Sequence, residues 1–282
     1  MSRSRRVALE PLTFSSAIVG LAAVLTLVAG IVAPPADSSQ VLFVGDYSTG
    51  DFSQWPLMAT KFYGSATDMR PGANYVPEYP ASIVSDPIKG KVARYEVRKG
   101  DFVGSSESSQ VTATTAETGG AEGQTTWYSF SARFDVNFPQ NHGTLGWGVT
   151  NQWHEGSNRG GSPPISMNVG MRNGYWSLGI VPQDAPGDPD GDAYSIWDVP
   201  LRTDWHDIKL QIHWSSTNGW IRLWHNGVRQ KLLGSVDTFV VPTLIPGTDT
   251  VYYKEGYYRK PMMPTGVLFL YGFRSATEES AL

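Results

Sequence analysis

The chain contains no cysteine. That excludes a disulfide framework, a thiol nucleophile and a cysteine-ligated zinc. Charge is also sparse: 17% of the 282 residues are charged, and acidic residues outnumber basic ones by 26 to 22. Three of those basic residues (Arg3, Arg5 and Arg6) and only one acidic residue (Glu10) lie in the first 36, so the remainder is more acidic than the whole chain's net −4. Such a body is a poor partner for nucleic acid. It would hold a polyanion only by gathering its positive groups in one groove. After the N-terminal segment there is no amphipathic stretch of helical period, no internal repeat, no charged block and no long linker to divide the chain.

The N-terminal segment has a separate character. A basic start, Ser2-Arg3-Ser4-Arg5-Arg6, precedes an almost uninterrupted apolar run from Leu12 to Ala33. This reads as an apolar helix serving as a signal peptide or membrane anchor over residues 1–36. The run approaches the ~20 residues that span a bilayer, and Ala33-Pro34-Pro35-Ala36 is a poor cleavage site, so both fates stay open. Either way the basic end stays cytoplasmic and the rest crosses. The expected location is secreted or anchored outside the cytoplasmic membrane, with the membrane met only through this segment.

Residues 37–282 read as one all-β domain. The 30 glycines and 19 prolines suit short strands joined by tight turns. In Trp205-His206-Asp207-Ile208-Lys209-Leu210-Gln211-Ile212-His213-Trp214, Ile208, Leu210, Ile212 and Trp214 share one face and the polar residues the other. That is the signature of a half-buried strand. Further strands are predicted over 92–98, 126–135, 145–153, 166–172, 175–181, 250–258 and 267–273. Asn173-Gly174, Asn218-Gly219 and Asn226-Gly227 are predicted to turn antiparallel hairpins. A two-sheet antiparallel β-sandwich, a β-jelly roll of concanavalin-like type, follows from this pattern.

Two stretches carry the chemistry. In Asn151-Gln152-Trp153-His154, Gln152 and His154 are two apart and face the same way on a strand. In Tyr252-Tyr253-Lys254-Glu255-Gly256-Tyr257-Tyr258-Arg259, the residues Tyr252, Lys254, Gly256 and Tyr258 share a face, and Gly256 leaves room for a close approach to the backbone. Meeting on one sheet, they would present an amide, an imidazole, an ammonium and a phenol to one space. That set suits β-elimination from a uronic-acid polymer. Gln152 or Lys254 would stabilise charge developing on the carboxylate. His154 or Tyr258 would take the α proton, and Tyr258 would protonate the leaving oxygen. No metal or cofactor is required.

These stretches, with Trp205-His206-Asp207, Gly45-Asp46-Tyr47-Ser48-Thr49-Gly50-Asp51 and Ala93-Arg94-Tyr95-Glu96-Val97-Arg98, resemble the heparin-lyase-type bacterial polysaccharide lyases. The Gln-x-His and Lys-x-x-x-Tyr pairs are similar to those of the related glucuronan and alginate lyases. The resemblance implies a jelly roll with a concave catalytic face, His154 and Tyr258 as base and acid, and Gln152 and Lys254 beside the substrate carboxylate. Asn151, Tyr252 and Arg259 are further substrate-binding candidates, and an acidic polysaccharide is the implied partner. The chain departs from the family pattern at Glu107-Ser108-Ser109-Gln110, where Glu-Arg-Ser-Glu is usual: Ser108 replaces a substrate-facing arginine and Gln110 the second acid. Tyr271 stands where relatives often carry an acid, which argues against a calcium site there.

Competing readings are plainer. Asp188-Pro189-Asp190-Gly191-Asp192 resembles a calcium loop, yet a solvated acidic turn explains it as well. A glycoside hydrolase would need two well-placed carboxylates, and no strand shows the close Glu-x-Asp-x-x-Glu spacing such sandwiches use. His206 and His213 read as structural, and His142 and His225, beside turn signals, as exposed. The alternative to an enzyme is a non-catalytic carbohydrate-binding jelly-roll protein that kept the groove, or a surface scaffold.

Overall fold

The strand over His206–His213 alternates as its sequence requires: His206, Ile208, Leu210 and Ile212 are buried, and the residues between them face outward. Repeated along the chain, such strands build two antiparallel sheets. The computed structural model describes residues 40–62, 78–156, 162–183 and 193–282. The expected N-terminal helix over 1–36 and the acidic turn at 188–192 lie outside the described residues.

One sheet has nine strands and runs Val228–Arg229, Trp220–His225, His206–His213, Thr125–Phe134, Gly266–Ala276, Gly90–Val97, Ala81–Asp86, with Val41–Gly45 and Phe239–Val240 attached at its side. The other has eight and runs Tyr194–Pro200, Tyr175–Ile180, Ile165–Val169, Gly148–Glu155, Val251–Arg259, Ser106–Ala113, Leu57–Thr60, with Phe102–Val103 beside Ser106–Ala113. The two sheets pack through aromatic rings. Tyr253 stacks on Phe273 with centroids 3.9 Å apart, and Trp153 meets Tyr128 edge-on at 5.2 Å. Large apolar rings buried between two sheets are the main source of stability in such a sandwich.

Each strand expected from the sequence is present to within a few residues, except that the expected strand over 145–153 begins only at Gly148, after a helical turn over His142–Leu145. The Asn-Gly pairs divide. Asn226 and Gly227 both have positive φ, 50° and 78°, as a type I′ hairpin demands. At Asn173-Gly174 only the glycine does, and at Asn218-Gly219 neither residue does.

Val251–Arg259 is central to the eight-stranded sheet, with Ser106–Ala113 on one side and Gly148–Glu155 on the other. Its pairing with Gly148–Glu155 slips by one residue between Glu255 and Tyr258. At that slip sits Gly256, φ 134°, where a Cβ would lie 2.2 Å from the Ser109 carbonyl oxygen. What approaches the Gly256 backbone is therefore the adjacent strand.

Two buried polar groups fix this strand from the core side. The Glu255 carboxyl is fully buried and hydrogen-bonded by the Tyr47 and Tyr253 hydroxyls; Tyr253 donates over 2.9 Å, and Tyr47 and Tyr95 hydroxyls meet at 3.0 Å. Asn151 donates to the Tyr253 hydroxyl, Thr150 to Asn151, and the Trp176 indole to Thr150, each over 2.8–2.9 Å. At the strand's end the Arg259 guanidinium pairs with Glu107 at 2.9 Å, both fully buried, and donates to the Pro264 carbonyl at 2.6 Å.

Burial raises the Glu255 carboxyl from 4.5 to about 8, opposed only in part by the two hydroxyls. The folded state therefore holds a proton that the unfolded chain has released. Its stabilising effect is complete below the unfolded value and is lost as pH rises through the folded one. Stability is expected to fall by up to about 1.4 kcal/mol per pH unit between those values. Urea unfolding across that range should show the slope in the wild type and a flatter one in Glu255→Gln; equal slopes would contradict the assignment. Arg259→Ala, which strands a buried carboxylate, should cost about 3–5 kcal/mol in the same measurement, and a loss below about 1 kcal/mol would mean that Glu107 is not held by this pair.

Candidate active site

Alternation along three neighbouring strands sends one set of side chains to the core and the other to a shared groove. On Val251–Arg259 the core set is Tyr253, Glu255 and Tyr257, while Tyr252, Lys254 and Tyr258 are half-buried on the opposite face. Gln152 lies directly across from Lys254, and His154 directly across from Tyr252. On the other flank Ser108 is opposite Tyr258, and Thr112 opposite Lys254.

Gln152, His154, Lys254 and Tyr258 line one cavity of about 160 Å³ together with Ser108, Gln110, Thr112, Ala59 and Val103. The two stretches that carry chemistry in the sequence thus converge on one space. A second cavity of about 350 Å³ shares Gln152, His154 and Tyr258 and continues along Trp147, Val149, Ser166, Asn168, Met171 and Val181. The Trp147 ring lies against Tyr258, centroids 4.8 Å apart.

The His154 ring stacks on Tyr252 at 5.3 Å, and the Lys254 ammonium sits 5.2 Å from the centre of the same ring. His154 Nδ1 is 3.2 Å from the Glu155 carbonyl oxygen. A proton on Nδ1 donated to that carbonyl leaves Nε2 as the basic nitrogen. Burial holds the Lys254 amine below its ordinary value. Among the described residues no carboxylate is within ion-pair distance of it. The Tyr252 phenol is pushed up to about 12 by burial and then by the Glu155 charge, so it stays neutral. Gln110 is buried in the groove floor, and its Nε2 has no hydrogen-bond partner among the described residues. A buried amide donor left open beside a cavity wants an acceptor from a ligand or water.

Two candidates belong elsewhere. Asn151 is fully buried on the core face, bonded to Tyr253, because it lies one residue out of phase with Gln152 and His154. Arg259 is likewise sealed in its pair with Glu107 and faces away from the groove. Neither lines the groove. His142, expected to be exposed, is 1% exposed; its ring stacks on Phe138 and its Nε2 meets the Tyr257 hydroxyl. Burial lowers it to about 4. His206 is buried with its Nδ1 3.0 Å from His225 Nε2, and both stand on the nine-stranded sheet, as does His213.

Thr112, Trp147, Ser166 and Asn168 line the groove without having been expected there. The Ser106–Ala113 strand hides from a hydrophobicity reading because its groove face is Ser108, Gln110 and Thr112, although every residue of the strand is buried. Among the described residues no group of three or more histidine, aspartate or glutamate side chains is placed to hold a metal ion.

No curated protein matches the sequence. The fold is similar to that of an endo-β-1,4-glucuronan lyase from the fungus Trichoderma reesei, with TM-score 0.60 and 16% identity over 85% of this chain and 96% of that one. It is also similar to an alginate lyase from Klebsiella pneumoniae, with TM-score 0.52 and 12% identity over 80% of this chain and 96% of that one. At these identities the likeness is one of fold. The family model described as polysaccharide lyase matches residues 47–275, which is most of the chain and includes every groove residue named above. The chain belongs to the polysaccharide lyase family.

Proposed function

We propose that the protein cleaves a uronate-containing polysaccharide by β-elimination and leaves a 4,5-unsaturated uronate end. The observation that carries this is the meeting of Gln152, His154, Lys254 and Tyr258 around one cavity. The reaction removes a proton α to a carboxylate, which is hard while the carboxylate keeps its full charge. Lys254, without a carboxylate of its own among the described residues, and the Gln152 amide beside it stabilise the charge that develops there. His154 takes the proton through Nε2. Tyr258, between the two cavities, donates its hydroxyl proton to the departing glycosidic oxygen. Electrons from the broken C–H bond form the C4–C5 double bond as the C4–O bond breaks, so no water is consumed. Exposure of the groove to such a polymer requires export, and the N-terminal segment supports a secreted or membrane-anchored protein acting outside the cytoplasm.

One observation favours a second reading. Ser108 lies in the groove floor where the family resemblance implies a substrate-facing arginine, and the loss of that cation weakens the grip on a charged chain. A carbohydrate-binding protein without turnover would tolerate that loss.

Incubation with glucuronan, alginate and heparin-like chains separates the two. Elimination is expected to generate new ultraviolet absorbance from the conjugated double bond on at least one polymer. Retention of a polymer with no absorbance from any of them would favour the binding reading. Tyr258→Phe is expected to lower kcat by about 10²–10⁴-fold, the range of general acid–base contributions, with affinity nearly intact; undiminished kcat would remove Tyr258 from the proton-transfer role.

A further inference from the structure

The two cavities that meet at Gln152, His154 and Tyr258 differ in chemistry. On one side the wall holds Lys254, the Gln110 amide with its open Nε2, and the Ser108 and Thr112 hydroxyls. On the other side no lysine, arginine, aspartate or glutamate lines the wall among the described residues. Its surface is mainly Trp147, Val149, Val169, Met171 and Val181. The polar groups there largely satisfy each other, since the Asn168 amide donates to the Ser166 carbonyl at 3.0 Å and to its hydroxyl at 2.9 Å. Lys254 is therefore the one lysine or arginine lining either cavity among the described residues.

A carboxylate placed against the Trp147 wall would leave water without gaining a lysine or arginine partner among the described lining residues, which is unfavourable in an apolar cavity. An uncharged pyranose fits better. Its C–H face can lie on an indole while its hydroxyls stay near the open rim, the usual mix of apolar wall and few polar groups in a ligand site. Trp147 is 41% exposed and is braced against Tyr258, so the platform adjoins the bond to be broken.

We infer that the groove selects a polymer in which a single uronate, seated at Lys254 and Gln110, is joined to an uncharged sugar lying on Trp147, in preference to an unbroken run of uronates. This rests on the elimination reading for which sugar is cleaved, though not for which sugars bind. Trp147 is then a specificity-determining residue, and Gln110 supplies a further donor to the uronate beside Lys254 and Gln152.

Binding is measured by calorimetry on the full-length Tyr258→Phe protein, which separates affinity from turnover. The probes are size-matched oligosaccharides, one of glucuronate alone and one alternating glucuronate with a neutral hexose. The alternating chain is expected to bind at least about tenfold more tightly, a ratio equivalent to about 1.4 kcal/mol. Trp147→Ala in the same background is expected to abolish most of that preference. Equal or tighter binding of the homopolymer, binding of neither chain, or a preference untouched by Trp147→Ala would each overturn the inference. Wild-type turnover is assayed separately: preferential binding of the alternating chain without new ultraviolet absorbance would defeat the elimination reading and leave this inference standing.

Discussion

The arrangement of the groove depends on a buried carboxyl group. Glu255 lies in the core between the sheets, held by one hydroxyl from a distant part of the chain, Tyr47 in the turn after the first strand, and by one from its own strand, Tyr253, with Tyr95 touching Tyr47. A side chain so enclosed cannot move to the other face without leaving several polar groups unpaired. Because the side-chain period of a strand is two, fixing Glu255 inward fixes Lys254 outward. Gly256 then lets the strand approach Ser109 closely, and the one-residue slip against Gly148–Glu155 brings Tyr258 beside Trp147 and Val149. Functional geometry is thus set from the core side of the same strand.

This explains why several separate stretches of the sequence carry the family resemblance. Tyr47 belongs to Gly45–Asp51 and Tyr95 to Ala93–Arg98, and both serve the Glu255 site. Glu107 of the Glu-Ser-Ser-Gln stretch pairs with Arg259. Tyr47, Tyr95 and Glu107 therefore act by holding the strand that bears Lys254 and Tyr258. The same network accounts for the misassigned candidates. Asn151 and Arg259 sit in chemically suggestive stretches, but their roles are to satisfy buried partners.

Much of the sandwich was legible in the sequence, because period-two alternation and Asn-Gly turns report directly on half-buried hairpin strands. The Ser106–Ala113 strand was not legible: polar on its groove face and buried throughout, it shows no hydrophobic alternation. Nor was the burial of His142, which depends on Tyr257 and Phe138, residues brought near only by the fold. Of the groove, the pairs Gln152/His154 and Lys254/Tyr258 could be read because each repeats the strand period. Trp147 could not, since it follows a helical turn and reaches the groove by its packing on Tyr258. The replacement of arginine by Ser108 was visible beforehand; its consequence, a groove with Lys254 as its one lysine or arginine among the described lining residues, needed the structure.

The central claim is that this groove breaks a glycosidic bond by moving a proton and an electron pair, with no water entering the product. The most direct test is digestion in water enriched in heavy oxygen, followed by mass spectrometry of the new chain ends. Elimination predicts one fragment lighter by a water than its hydrolytic counterpart and, in samples quenched before anomeric oxygens exchange, new reducing ends free of solvent oxygen. Fragments that together gain one water and already carry its heavy oxygen at that stage would contradict it and assign the bond cleavage to hydrolysis.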